Sequence, residues 1–225
     1  MNKVKKRIKV QGFLIFLAVT ITLLFTKSLF PHWQKEPIDE FLDALGVVLV
    51  LFGFLFRISA RGYKSEKSPN GSVLITDGPY AIMRNPMYFG TLLIGTGIIF
   101  LILELWTFPI FLLIFLLIYI PQIKREERKL SVSFKDRFKD YCKRTPKYFP
   151  NLFDLSKLDL RDYLFLKWRW IKRELLPLIL VICVIIAIEI WEDVRLFGYG
   201  EFIKELLELS LIISFFVIVS FLFYK

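Results

Sequence analysis

The sequence predicts an all-α protein, a polytopic transmembrane bundle of about six membrane helices with both termini cytosolic and a cytosolic helical extension. Three observations predict it. Of the 225 residues, 56% are apolar and 17% aromatic, with 24 Phe, well above an ordinary soluble domain. The apolar residues fall into blocks almost free of charge. The basic residues gather in alternate connecting segments, as they do when a chain crosses a bilayer repeatedly.

The blocks are 12–30, 41–56, 87–103, 105–120, 175–190 and 206–223. A helix needs roughly 20 apolar residues to cross the hydrocarbon core. The first, second and last reach this once their flanks are counted, and the middle three are short. The first block is long and lacks a small-residue cleavage site, so it reads as a retained helix rather than a secretory signal. Pro31 ends it. Pro37, Ile38 and Asp39 begin the second helix, with Asp39 as its N-cap and Glu40 in its first turn. Gly46 and Gly53 lie seven residues apart on one face of that helix, a spacing that lets helices approach closely in lipid.

A polar loop, 65–80, follows, with a turn at Pro69-Asn70-Gly71. The chain re-enters the membrane at Pro86. The third and fourth blocks, divided at Glu104, read as a helical hairpin whose ends return to one side, bringing Arg84 and Glu126 to the same face. Gly95-Thr96-Gly97 lies inside the third block and reads as packing. Residues 122–148 read as a helix running out of the fourth block. Glu126, Leu130, Phe134, Phe138 and Tyr141 recur on one face, and Arg128, Lys135, Arg137 and Lys139 on the other. Pro146 and Pro150 end it. Residues 155–173 mix Leu, Trp and Phe with Lys and Arg and read as an interfacial amphipathic helix. Residues 174–225 then form a C-terminal membrane hairpin. The whole, 1–225, reads as a single membrane domain with a cofactor-binding core at 65–150.

The net charge of +10 suggests nucleic acid until its distribution is read. With the N-terminus inside, Lys3 to Lys9, Arg57 to Arg84 and every base from Lys124 to Arg173 face the cytosol. Only Lys27, Lys35, Arg195 and Lys204 lie outside. The excess is topological, so no nucleic-acid partner is expected. Cys142 and Cys183 form no framework, and His32 beside Trp33 reads as an interfacial residue. No convergent ligand set is visible, so no metal is expected.

Two stretches hold candidate chemistry. In the run Gly78 to Gly90, a charged Arg84 and an Asn85-Pro86 step stand where the chain enters the membrane. Arg84 offers a planar donor fork for a carboxylate or phosphate; it also fits a positive-inside anchor before a helix-starting proline. Glu126 and Glu127 follow a membrane helix directly. Side by side they point about 100° apart, so one can face the bundle and the other water. They fit a solvated charge cluster equally well. Together, flanking one hairpin on one side, the two stretches form a candidate site.

The run from Gly78 to Gly90 resembles the Gly-Pro-Tyr…Arg-His-Pro-x-Tyr-x-Gly motif of the isoprenylcysteine carboxyl methyltransferase and phospholipid methyltransferase superfamily. Glu126-Glu127-Arg128-Lys129-Leu130, then Phe134, Tyr141, Pro146 and Pro150, resembles that family's second block. The resemblance covers roughly 65–150. It implies an integral membrane methyltransferase that uses S-adenosylmethionine in a cytosol-facing pocket, on a membrane lipid or lipidated acceptor arriving from the bilayer. By position it assigns Tyr80, Arg84, Asn85, Pro86, Tyr88, Glu126 and Glu127 to the cofactor, Arg84 and Glu127 to catalysis, and Tyr141 to the substrate. It implies a multi-pass protein of the cell membrane. Three positions depart from the pattern: Asn85 stands for His, Lys135 for Gly and Phe138 for the first Tyr. Asn85 can hydrogen-bond but cannot titrate near neutral pH, which removes a general base there. Two other functions compete. Membrane sterol reductases are similar in their C-terminal half and would use a reduced nicotinamide cofactor. A non-catalytic membrane protein retaining the pocket would bind without turnover.

Overall fold

The computed structural model describes residues 37–150 and 160–196, with Ser210, Ser214 and Ile218. These residues form helices and no strand: α1 (Pro37–Lys67), α2 (Pro79–Ile82), α3 (Pro86–Ile102), α4 (Thr107–Arg144), α5 (Leu160–Tyr163) and α6 (Trp168–Leu196). The first and last apolar blocks lie outside the described residues, apart from Ser210, Ser214 and Ile218. Among the described residues two helices are long and apolar enough to cross a membrane, within α1 and in α4, while α3 is apolar but shorter. The described residues therefore show six helices, of which two rather than six meet the requirement for a span.

α1 and α3 pack antiparallel, and glycine sets the distance between them. A Cβ on Gly53 would stand 2.6 Å from the Gly90 carbonyl oxygen, and one on Gly46 2.8 Å from that of Gly97. The seven-residue spacing on α1 thus meets the same spacing on α3. Gly95 lies under the Phe111 ring, which lets α4 fold back along α3. The hairpin turn closes by a 2.9 Å bond from the Thr107 amide to the Glu104 carbonyl. The buried core joins Phe54 and Ile58 of α1, Met83, Ile94 of α3, and Leu164, Leu166 and Trp170.

α6 runs antiparallel to α1 on another side. Buried Glu174 takes ion pairs from Arg57 (3.2 Å) and Arg61. Arg57 also donates to Thr91 of α3 at 3.3 Å, so one guanidinium links three helices.

Several boundaries differ from the sequence reading. Asp39 lies inside α1 rather than capping it. α1 runs on through Arg57, Arg61 and Lys64 to Lys67, because its polar end packs on α6. The loop shrinks to the residues after it, with Gly71 at φ 70° in the turn. The helix expected over 122–148 ends at Arg144, with Thr145 as C-cap, and it is bent: Lys135 has φ 43° and ψ −113°. The single helix expected over 155–173 is divided. Residues 155–159 lie outside the described residues, α5 is one turn, and the chain breaks at 164–167. Trp168 opens α6, which continues to Leu196. Buried Leu164 and Leu166 explain the break, since an interfacial helix would leave them in lipid or water.

Candidate functional site

The two motif stretches meet at one end of the α3–α4 hairpin. Gly78, at φ 57°, turns the chain into α2, and Pro79 and Pro86 occupy the first turns of α2 and α3. Proline is suited there because a first-turn N–H has no helical acceptor. Between them Arg84 and Asn85 are non-helical. The Arg84 amide donates to the Pro146 carbonyl at 2.9 Å, and the Asn85 side-chain amide donates to the Lys147 carbonyl at 3.0 Å. Asn85 thus fastens the first motif to the end of the second, a role that needs a donor and no titration.

Arg84 and Glu127 are both largely buried and stand 3.3 Å apart. Arg84 also touches the Cys142 thiol. The other oxygen of Glu127 holds the Lys147 ammonium at 2.5 Å. Burial pulls the Lys147 ammonium toward deprotonation, but the hydrogen bond and charge of Glu127 outweigh it and hold its pKa above the usual lysine range. Arg84 Nε is buried without a hydrogen-bond partner, and Glu127 Oε1, the oxygen facing Arg84, is buried with that ion pair and no hydrogen bond. A buried polar atom without a hydrogen-bond partner is costly.

Glu126 points elsewhere. Its Oε1 accepts from the Tyr88 hydroxyl at 2.7 Å and from Gln122 at 3.0 Å. The Tyr141 hydroxyl donates to the Tyr80 carbonyl at 2.7 Å, and the Tyr80 hydroxyl to the Ala60 carbonyl at 3.3 Å. Burial, then the nearby Glu126 charge, push the Tyr80 phenol above its usual range, so it stays neutral. Tyr80 and Tyr141 brace α2 between α1 and α4. Tyr141 is buried with its hydroxyl engaged.

Of the predicted residues, Arg84 and Glu127 form one pair, Tyr88 and Glu126 a second, and Tyr80 and Tyr141 a third. Asn85 and Pro86 shape the turn that carries them. Lys147, Cys142 and Gln122 were not singled out by the sequence reading. Lys147 follows the motif's first proline, and no pattern in the sequence links it to Glu127. Among the described residues no group of three His, Cys, Asp or Glu side chains gathers.

This placement can be set against known proteins. The family model for phospholipid methyltransferase matches residues 42–137. That stretch is similar to the phospholipid methyltransferase family. The match takes in most of α1, Arg84, Glu126 and Glu127, and the hairpin between them, in agreement with the superfamily resemblance read from the motifs. Two curated proteins are similar. The chain is 32% identical over 136 residues to the cobalt-zinc-cadmium resistance protein CzcN of Cupriavidus metallidurans. It is 28% identical over 136 residues to the nickel-cobalt-cadmium resistance protein NccN of Alcaligenes xylosoxydans xylosoxydans. Each alignment covers 60% of this chain and 62% of the relative, so the chain spans less than two thirds of the length of these relatives. No solved structure matches the chain.

Proposed function

We propose that this chain is an integral membrane methyltransferase that uses S-adenosylmethionine and acts on a lipid or lipid-like amphipathic acceptor, with its site on the cytosolic face. The family supports methyl transfer in a membrane protein, and the reading of cofactor and acceptor rests on the site. The observation that carries it is the largely buried Arg84–Glu127 pair, in which Arg84 Nε has no hydrogen-bond partner.

The donor set fits the cofactor. S-adenosylmethionine carries a carboxylate, an ammonium and ribose hydroxyls. Arg84 Nε–H is a donor for the carboxylate, and Glu127 Oε1 an acceptor for the ammonium or a hydroxyl. When bound, the cofactor supplies an electrophilic methyl on a sulfonium. The protein then has to position and to place charge. Lys147 holds one oxygen of Glu127, and the other faces Arg84. Glu126, held by Tyr88 and Gln122, keeps α3 and α4 in register beside the pair. The acceptor comes from the bilayer because the site lies at the end of two apolar helices. α4 turns Leu113, Leu117 and Ile118 outward, the face hydrocarbon would cover.

Calorimetric titration of the full chain in lipid nanodiscs with S-adenosylmethionine tests this. Binding is expected, weakened at least tenfold by Arg84→Gln or Glu127→Gln, since each removes a charge-assisted contact worth about 1.5–3 kcal/mol. Intact protein that takes up no cofactor sinks the proposal.

A further inference from the structure

A polar cavity lies at the junction of α1 and α6, outside the Arg84–Glu127 site. It measures about 350 Å³ including its open mouth, and its walls include Arg61, Gly62, Ser65, Trp170, Arg173 and Glu174. Gly62 lets Trp170 close against α1 at its edge: a Cβ there would fall 2.1 Å from the Trp170 ring. Arg173 reaches across from α6 to the Ser65 hydroxyl at 3.0 Å.

The charges around the cavity do not balance. Glu174 is 1% exposed, and it is shared by Arg57 and Arg61. Two guanidinium groups face one carboxylate, and Arg173 adds a third. The surrounding helix ends carry Lys64, Lys67, Lys167, Arg169 and Lys172 as well. Glu66 is the only other carboxylate on these two ends, and Lys167 holds it at 2.6 Å. Guanidinium nitrogens beyond those bound to Glu174 give a fork suited to phosphate oxygens.

We infer that this cavity binds the phosphate of an anionic membrane lipid. A phosphate group is the shared chemistry of a lipid headgroup and a free anion, and the surroundings favour the lipid. Just past Arg173, α6 exposes Leu175, Leu176 and Ile179, an apolar track on which acyl chains can lie. Trp168 is exposed at the same level and stacks on Lys172, as aromatic residues do at the headgroup layer. Basic pockets between membrane helices at such a level bind anionic headgroups. The inference does not depend on the methyltransferase reading.

Native mass spectrometry of the full chain in detergent tests it, titrated with phosphatidylglycerol or with phosphatidylcholine of the same chains. Preferential retention of phosphatidylglycerol is expected. Arg173→Gln leaves both ion pairs of Glu174 in place, so the fold is kept, and it should weaken phosphatidylglycerol roughly fivefold, about the contribution of one base. Lys139→Gln with Lys143→Gln removes more charge from an exposed part of α4 and should leave the preference unchanged. Three results overturn the inference: equal retention of both lipids, an unchanged affinity in Arg173→Gln, or an equal loss in the α4 control. Displacement of the lipid by millimolar inorganic phosphate, with phosphate bound in its place, assigns the cavity to a free anion and overturns the lipid assignment.

Discussion

Lys135 decides where the second motif goes. Glu127 and Cys142 are fifteen positions apart, which in a straight helix is about 22 Å, yet both touch the Arg84 guanidinium. The chain reverses between them, at the one non-helical residue inside α4, with φ 43° and ψ −113°. Only glycine adopts such a conformation without cost; for other residues it takes about 1–3 kcal/mol. The glycine that the family motif carries here thus has a physical reason, and this chain holds the turn against strain. Lys135→Gly is expected to raise stability by about 1 kcal/mol in detergent thermal melts, and Lys135→Ile to lower it by at least as much. A Gly variant less stable than the parent would refute the strained turn. Lys147 gives a second test at this scale. Its folded pKa lies above the ordinary 10.5, so its bridge to Glu127 is fully stabilising below about pH 10.5 and is lost as pH rises through the folded value. Tyr80, neutral when folded, gives alkaline loss in the same direction. Lys147→Met should therefore be less stable at pH 8 and show a shallower decline between about pH 10 and 12; an unchanged decline counts against the bridge.

Among the helices, the α1–α3 contact holds the site's start in place. The backbones meet through Gly46 with Gly97 and Gly53 with Gly90, and the far end of α3 carries Tyr88, Asn85 and Arg84. Gly53→Val would put side-chain atoms into the Gly90 carbonyl and the Ile94 backbone. Neither can yield as a flexible side chain would, so the cost exceeds the ordinary 1–3 kcal/mol of overpacking. The expected result is a large fall in the melting temperature together with loss of S-adenosylmethionine binding, with Gly53→Ala intermediate in both. A Gly53→Val protein that melts and binds like the parent would show that the close approach is dispensable. The glycine spacing on α1 was legible in the sequence because seven residues return to one helical face, and so was the hairpin, because Glu104 interrupts two apolar runs. Glu126, Leu130, Phe134, Phe138 and Tyr141 are all buried or partly buried, but the break at Lys135 divides the single helical face that their spacing predicts. What was hidden is tertiary. The reversal at Lys135 substitutes a lysine where glycine would have signalled a turn. The partner of Arg57 and Arg61 lies more than a hundred residues away at Glu174, and the sequence pattern there reads simply as a basic interfacial segment.

For the molecule as a whole, the sequence and the fold bear on orientation from different directions. Basic residues crowd the end of α1, the start of α6 and the emergent half of α4. The hairpin turn near Leu105 and Trp106 lies at the opposite end of α3 and α4 from Arg84 and Glu127. If bases mark the cytosolic side, the site, the α1–α6 cavity and Lys139 all face the cytosol, and the turn faces out. A water-soluble cofactor would then reach the site from the cell interior. The proposal is open to a direct measurement in a chain carrying Cys142→Ala and Cys183→Ser. Leu105→Cys, half-exposed at the turn, should react with a membrane-impermeant maleimide in intact cells. Lys139→Cys, whose side chain is 71% exposed, should react only after the membrane is opened. The reverse pattern would place Arg84 and Glu127 on the outer face, away from any intracellular pool of S-adenosylmethionine, and both the orientation and the cofactor reading would have to be abandoned.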